Sequence, residues 1–147
     1  MGATAGVIGL TYSGATDGFI AKFDNTNGNL DALTYIGTNS YDQTYIIEVD
    51  QYQDVYVVGQ TKGAYPVSPS TYNNPNSTQF IHKLNNDLTV TDFSTVFGNG
   101  STTVNISLSS FLVDNCDNIY VGGWGGVVNN EGNTNGMPIT ANAIQPS

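Results

Sequence analysis

The feature that most constrains this chain is an internal repeat, because near-copies fold alike and a repeat unit buries its apolar face chiefly against its neighbours. Phe19-Ile20-Ala21-Lys22-Phe23 returns 61 positions later as Phe80-Ile81-His82-Lys83-Leu84. The same spacing carries Asp31 onto Asp92 and Thr34-Tyr35-Ile36-Gly37 onto Thr95-Val96-Phe97-Gly98. Further on the spacing is 64: Val49-Asp50 matches Val113-Asp114, and Val55-Tyr56-Val57-Val58-Gly59 matches Ile119-Tyr120-Val121-Gly122-Gly123. The three extra residues fall in the polar stretch Asn99 to Asn105, where a longer loop costs little. Partial echoes frame the two copies. Val7-Ile8-Gly9-Leu10-Thr11 is similar to Val57-Val58-Gly59-Gln60-Thr61, and Pro138-Ile139-Thr140 to Pro66-Val67-Ser68.

Each unit reads as four short strands. The first copy places them at Phe19–Asp24, Ala32–Gly37, Thr44–Asp50 and Asp54–Thr61, and the second at Gln79–Asn85, Asp92–Gly98, Leu108–Asp114 and Asn118–Gly123. Turn-formers separate them: Asp24 to Gly28, Asp50 to Asp54, and Asp114 to Asn118. No stretch has a helical apolar period with caps. The apolar residues, 39% of the chain, are mostly Val, Ile, Tyr and Phe, which suit strands. An all-β class follows. Antiparallel four-stranded units repeating at this length predict propeller blades: about two full blades (units at 17–61 and 78–126) in a single segment spanning 1–147, with partial units at both ends.

The charge excludes two classes of partner. Three Lys and no Arg stand against 12 acids, a formal charge of −9. Nucleic-acid binding needs cations to displace phosphate counterions, and anionic membranes need the same. No apolar run reaches the ~18–20 residues of a spanning helix, so no membrane insertion is expected. Met1 to Leu10 lack a basic n-region, so no signal peptide is expected there. The single Cys116 permits no disulfide within the chain. Polarity comes instead from Asn (18), Thr (17), Ser (11) and Gly (17), which points to the cell surface or exterior rather than the cytosol.

Asp17-Gly18-Phe19-Ile20-Ala21-Lys22-Phe23-Asp24, then Leu33 to Gly37, Val49-Asp50, Asp54 to Thr61 and Tyr65-Pro66-Val67-Ser68-Pro69, resemble the bacterial beta-propeller repeat family, often called the seven-bladed beta-propeller repeat. The resemblance covers nearly the whole chain. It departs at Tyr65-Pro66-Val67 and, in the second copy, at Met137-Pro138-Ile139, and two units are too few to close a seven-bladed ring. It implies a non-enzymatic scaffold or adhesion surface within large secreted or cell-surface proteins, and it supplies no catalytic residues. Because both ends fall inside units, the expected neighbours are other blades of a longer chain, or further copies that self-associate to complete a ring.

His82 alternates with Phe80 and Leu84 and has no acid–base partner nearby in sequence, so a packed strand histidine is the expectation. Cys116 lies between Asp114 and Asp117, the opposite of a thiolate-stabilising setting. Asp24, Thr26, Gly28 and Asp31 offer oxygens at the spacing of a calcium loop, but the sixth position is Asn29 rather than glycine. An Asx turn is favoured there, with Asp24 and Asp31 kept only as weak metal candidates and no cofactor expected. A second oxygen-rich loop runs from Asn129 to Gly136, and Asn76, Asn99 and Asn105 begin glycosylation sequons. Trp124, among Gly122, Gly123, Gly125 and Gly126, is either a sugar-stacking platform or a plug between blades. Tyr65 and Tyr72, on the loop from Thr61 to Thr78, are further stacking candidates. These aromatics carry the alternative reading, a glycan-binding module.

Overall fold

A computed structural model describes residues 2–104, 106–125 and 134–144. Eight antiparallel strands appear in order: β1 (Gly18–Phe23), β2 (Leu30–Ile36), β3 (Asp42–Val49), β4 (Val55–Thr61), β5 (Gln79–Leu84), β6 (Thr91–Phe97), β7 (Ser107–Val113) and β8 (Ile119–Trp124). There is no helix among the described residues. Each strand lies within a residue or two of its expected place.

The phase of the sheets differs from the phase of the repeat. The four-stranded sheet runs β3-β4-β5-β6, taking the second half of one sequence unit and the first half of the next. β1-β2 and β7-β8 form two-stranded sheets on either side. A repeat period fixes what recurs but not where a sheet begins. Here β4 and β5 pair directly, and the intervening 62–78 connector is pinched at its base by Thr61 N–H donating to Thr78 O at 2.8 Å.

The three sheets stack, which explains why all seven residues of β4 are buried. Alternate side chains leave a strand on opposite faces. Val55 and Val57 pack with Ile20, Ala32 and Ile36 of the β1-β2 sheet, together with Phe80, Leu84 and Val96. Tyr56 and Val58 pack the other way with Ile81 and Phe111, joined by Phe93, Phe97, Leu108 and Ile119. β3 is an edge strand, and it lies close to both β1 and β7.

The hairpin turns repeat in detail. Asp50 Oδ1 accepts from the N–H groups of Tyr52 and Asp54 at 2.9 Å, and Asp114 Oδ1 accepts from Cys116 and Asn118 at 2.8 and 2.9 Å. Gln53 and Asp117 both take a left-handed backbone, with φ of 70° and 61°. These Asx turns explain why Asp opens both loops.

The N-terminal echo is placed differently from the sequence expectation. Val7 to Thr11 form no strand. Thr4 N–H donates to Leu33 O and Tyr35 N–H to Gly9 O, both at 3.1 Å, so the segment lies along β2. The 62–78 connector lies the same way along β6, with Ser68 N–H donating to Ser94 O at 2.9 Å and Asn74 N–H to Val96 O at 3.1 Å. The segment is thus the counterpart of the connector, not of β4.

Candidate functional site

The most enclosed chemistry lies between β5, β6 and the connector. His82 is buried, and both ring nitrogens are occupied: Nδ1 shares a 2.8 Å hydrogen bond with the Tyr65 hydroxyl, and Nε2 a 2.8 Å bond with Thr91 Oγ1. Tyr65 stacks on Phe80 with centroids 4.1 Å apart and planes 10° from parallel, and its ring meets His82 edge-on at 5.9 Å. Burial pulls the imidazole pKa down to about 4, so His82 is neutral at physiological pH. Burial, with the nearby Asp42 carboxylate, pushes the Tyr65 phenol well above its ordinary range. A cleft of about 250 Å³ opens beside this group, lined by Ile8, Gly9, Tyr35, Tyr65, His82 and Thr91. With both imidazole nitrogens engaged, the ring ties β5 to β6 and to the connector.

Tyr65 therefore offers no open ring face for a ligand, in contrast to its reading as a stacking residue. The connector folds back across β5 and uses the ring as core. Tyr72, on the same connector, is exposed, and its carbonyl accepts from the Thr95 hydroxyl. Trp124 closes β8 and is 45% exposed, where its counterpart Gln60 in β4 is covered. Of the three aromatic candidates, the fold leaves Trp124 and Tyr72 accessible and withdraws Tyr65.

Asp24 caps the β1-β2 hairpin. Its Oδ1 accepts from the Thr26 hydroxyl and from the N–H groups of Thr26 and Asn27, the latter two at 2.9 Å. The bond from the Thr26 hydroxyl, followed by those from the two backbone groups, holds its carboxyl below the usual range. Asp31 is exposed at the start of β2. Among the described residues, no three or more His, Cys, Asp and Glu side chains group so as to hold a metal ion. Cys116 is exposed at the β7-β8 hairpin tip. Asn105, Gly126 at the end of the second unit and residues 129–133 of the oxygen-rich loop lie outside the described residues.

Sequence reasoning missed one cluster. Lys83 Nζ lies 3.2 Å from Asp50 Oδ2, 3.1 Å from Asp54 Oδ2 and 3.9 Å from Asp92 Oδ2, and 4.9 Å from the centre of the Tyr56 ring. The Asp50 side chain has no exposed surface. Its burial acts to raise the carboxyl pKa, but the turn N–H groups and Lys83 outweigh this and hold it low. Desolvation likewise acts to lower the Lys83 pKa, and its bonds to Tyr56, Asp54 and Asp50 overcome this and raise it. The available signal was the pairing of Lys83 with Asp50 and Tyr56 across the repeat, echoed by Lys22, Asp114 and Tyr120.

The repeat also isolates the His82 group. At the matching positions of the strands the first copy has Ala21 and Leu30 for His82 and Thr91, so both change together. Compared with known proteins, the chain matches no protein-family model and no curated protein.

Proposed function

We propose that this chain is a non-catalytic β-propeller segment acting outside the cell, as scaffold or adhesion surface of a large bacterial surface or secreted protein. The observation that carries this reading is the stack of sheets. A four-stranded sheet is flanked on both faces by half-sheets of equivalent strands, and β3 neighbours its own counterpart β7. Repetition of that step turns successive sheets about one edge, as blades do. The chemistry agrees with a scaffold: the one histidine is buried with both nitrogens bonded, and the one cysteine sits in an acidic turn.

Protease shaving of intact source cells, followed by detection of this segment, tests the location. Release of the segment from unlysed cells is expected; full protection until lysis would count against the reading. Turnover of any hydrolase substrate by the purified chain would overturn the non-catalytic assignment.

Glycan binding is the second reading, favoured by the exposure of Trp124 and Tyr72. A glycan array should then give binding that Trp124→Ala abolishes. An array without signal would dismiss it.

A further inference from the structure

The repeat supplies its own control for what each surface is built to meet. Phe19 and Phe23 of β1 are 59% and 56% exposed, whereas Phe80 and Leu84 at the matching positions of β5 are fully buried. Tyr120 of β8 is 54% exposed, and its counterpart Tyr56 in β4 only 2%. The difference has a common source. β4 and β5 pair with each other, while the corresponding edges of β8 and β1 carry no strand among the described residues. Each end presents what the other lacks: β1 is a β5-type strand without its β4, and β8 is a β4-type strand without its β5.

We propose that β8 of one copy pairs antiparallel with β1 of a second copy, completing a four-stranded sheet in the order β7-β8-β1-β2. This rests on the propeller reading and deepens it by naming the partner. The in-chain register Val55↔Leu84, Tyr56↔Lys83 and Gly59↔Phe80 becomes Ile119↔Phe23, Tyr120↔Lys22 and Gly123↔Phe19 between copies. Shape follows the template. A Cβ at Gly59 would come within 2.6 Å of Phe80 Cζ, and glycine recurs at 123, opposite the place Phe19 takes.

Charge follows it too. Asp50 is held by its turn and neutralised by Lys83 on the adjacent strand. Asp114 has the same turn bonds but, among the described residues, no cation. The lysine matching Lys83 is Lys22, which in the single chain reaches only Asn86, donating to its Oδ1 at 2.8 Å and its carbonyl at 3.4 Å. In the paired sheet Lys22 of one copy stands beside Asp114 and Tyr120 of the other. A net charge of −9 on each copy opposes unspecific stacking, so the attraction is local to this edge. The contact is head-to-tail, and such contacts close into rings when their rotation permits. Rings of roughly two to four copies would hold the four to eight blades usual for propellers.

Light scattering coupled to size exclusion on the 147-residue chain reads the assembly directly. A discrete mass of at least two chains is expected. Lys22→Glu should weaken assembly by about tenfold or more, since it sets a third carboxylate beside Asp114 and Asp31. Adding Asn118→Lys to the same chain should restore it, because Asn118 matches the Lys83 partner Asp54 and Asp114 keeps its bonds from the turn backbone. Phe19→Glu is the variant safe for folding, its side chain being exposed in the single chain, and it should also yield monomer. A chain that stays monomeric at all concentrations, or an oligomer indifferent to these substitutions, overturns the edge pairing and leaves the propeller reading standing. An assembly controlled by Lys22 that images as an untwisted open stack instead of a ring supports the pairing and overturns the propeller reading.

Discussion

Acidification from neutral pH should destabilise this protein through one side chain. His82 is the only histidine, so in the interval from neutral pH down to the carboxylate range it is the only side chain whose ordinary pKa falls there. Its pKa in the folded state is about 4, against about 6.5 for an unfolded chain. As pH falls, the unfolded state takes the proton first. The stability due to the neutral buried ring is therefore complete above about pH 6.5, and it drains away as pH falls toward 4. The full shift corresponds to about 3 kcal/mol, of which about 2 kcal/mol is lost between pH 7 and pH 5. Urea unfolding at pH 7, 6 and 5 measures this, with His82→Gln as the control that keeps hydrogen-bonding capacity and removes the titration. Wild type should lose about 2 kcal/mol across the interval and the variant almost none. Equal slopes, or an imidazole NMR titration centred near 6.5 in the folded protein, would refute the reasoning, since either means that the ring is not desolvated by Tyr65, Phe80 and the connector.

Three further outcomes follow from the geometry. Gly59→Ala should cost about 1–3 kcal/mol in urea unfolding, because its Cβ would strike both the Gln43 carbonyl and the Phe80 ring. Lys83→Met should cost about 3 kcal/mol by leaving the buried Asp50 carboxylate without its cation, whereas Lys22→Met in the monomer should cost well under half as much. Millimolar calcium should leave the melting temperature where a chelator leaves it, because Asp24 Oδ1 is already taken by the Thr26 and Asn27 donors. A calcium-dependent rise would reinstate the β1-β2 loop as a cation site.

All eight strands were legible because Asp, Asn and Gly punctuate them and each turn recurs with its partner copy. Asp24 could be read as an Asx turn from residue type alone, since the bonds that fix it are local. The phase of the sheets was less visible, although one trace was present. Val55-Tyr56-Val57-Val58 is apolar on both faces, the mark of a strand covered on both sides, whereas β3 leaves Tyr45, Ile47 and Val49 exposed. That contrast separates an interior strand from an edge strand. Tyr65 misled because an aromatic in a polar loop resembles a surface residue, and its burial depends on the connector returning to His82 across 17 positions. The Lys83 cluster likewise joins three separate strands and turns that no local window contains.

The half-unit offset between repeat and sheet has a mechanical consequence. A force drawn along the chain reaches β3 and β4 through one sheet and β1 and β2 through another, although all four belong to one sequence unit. No unit can then be peeled away alone, because extracting it shears two sheets at once, as a brick is held by courses laid across its joints. Deletion of one whole repeat period, a unit with its connector, would leave the same kinds of edge at both ends. A chain built this way can gain or lose length and still be bonded through every joint.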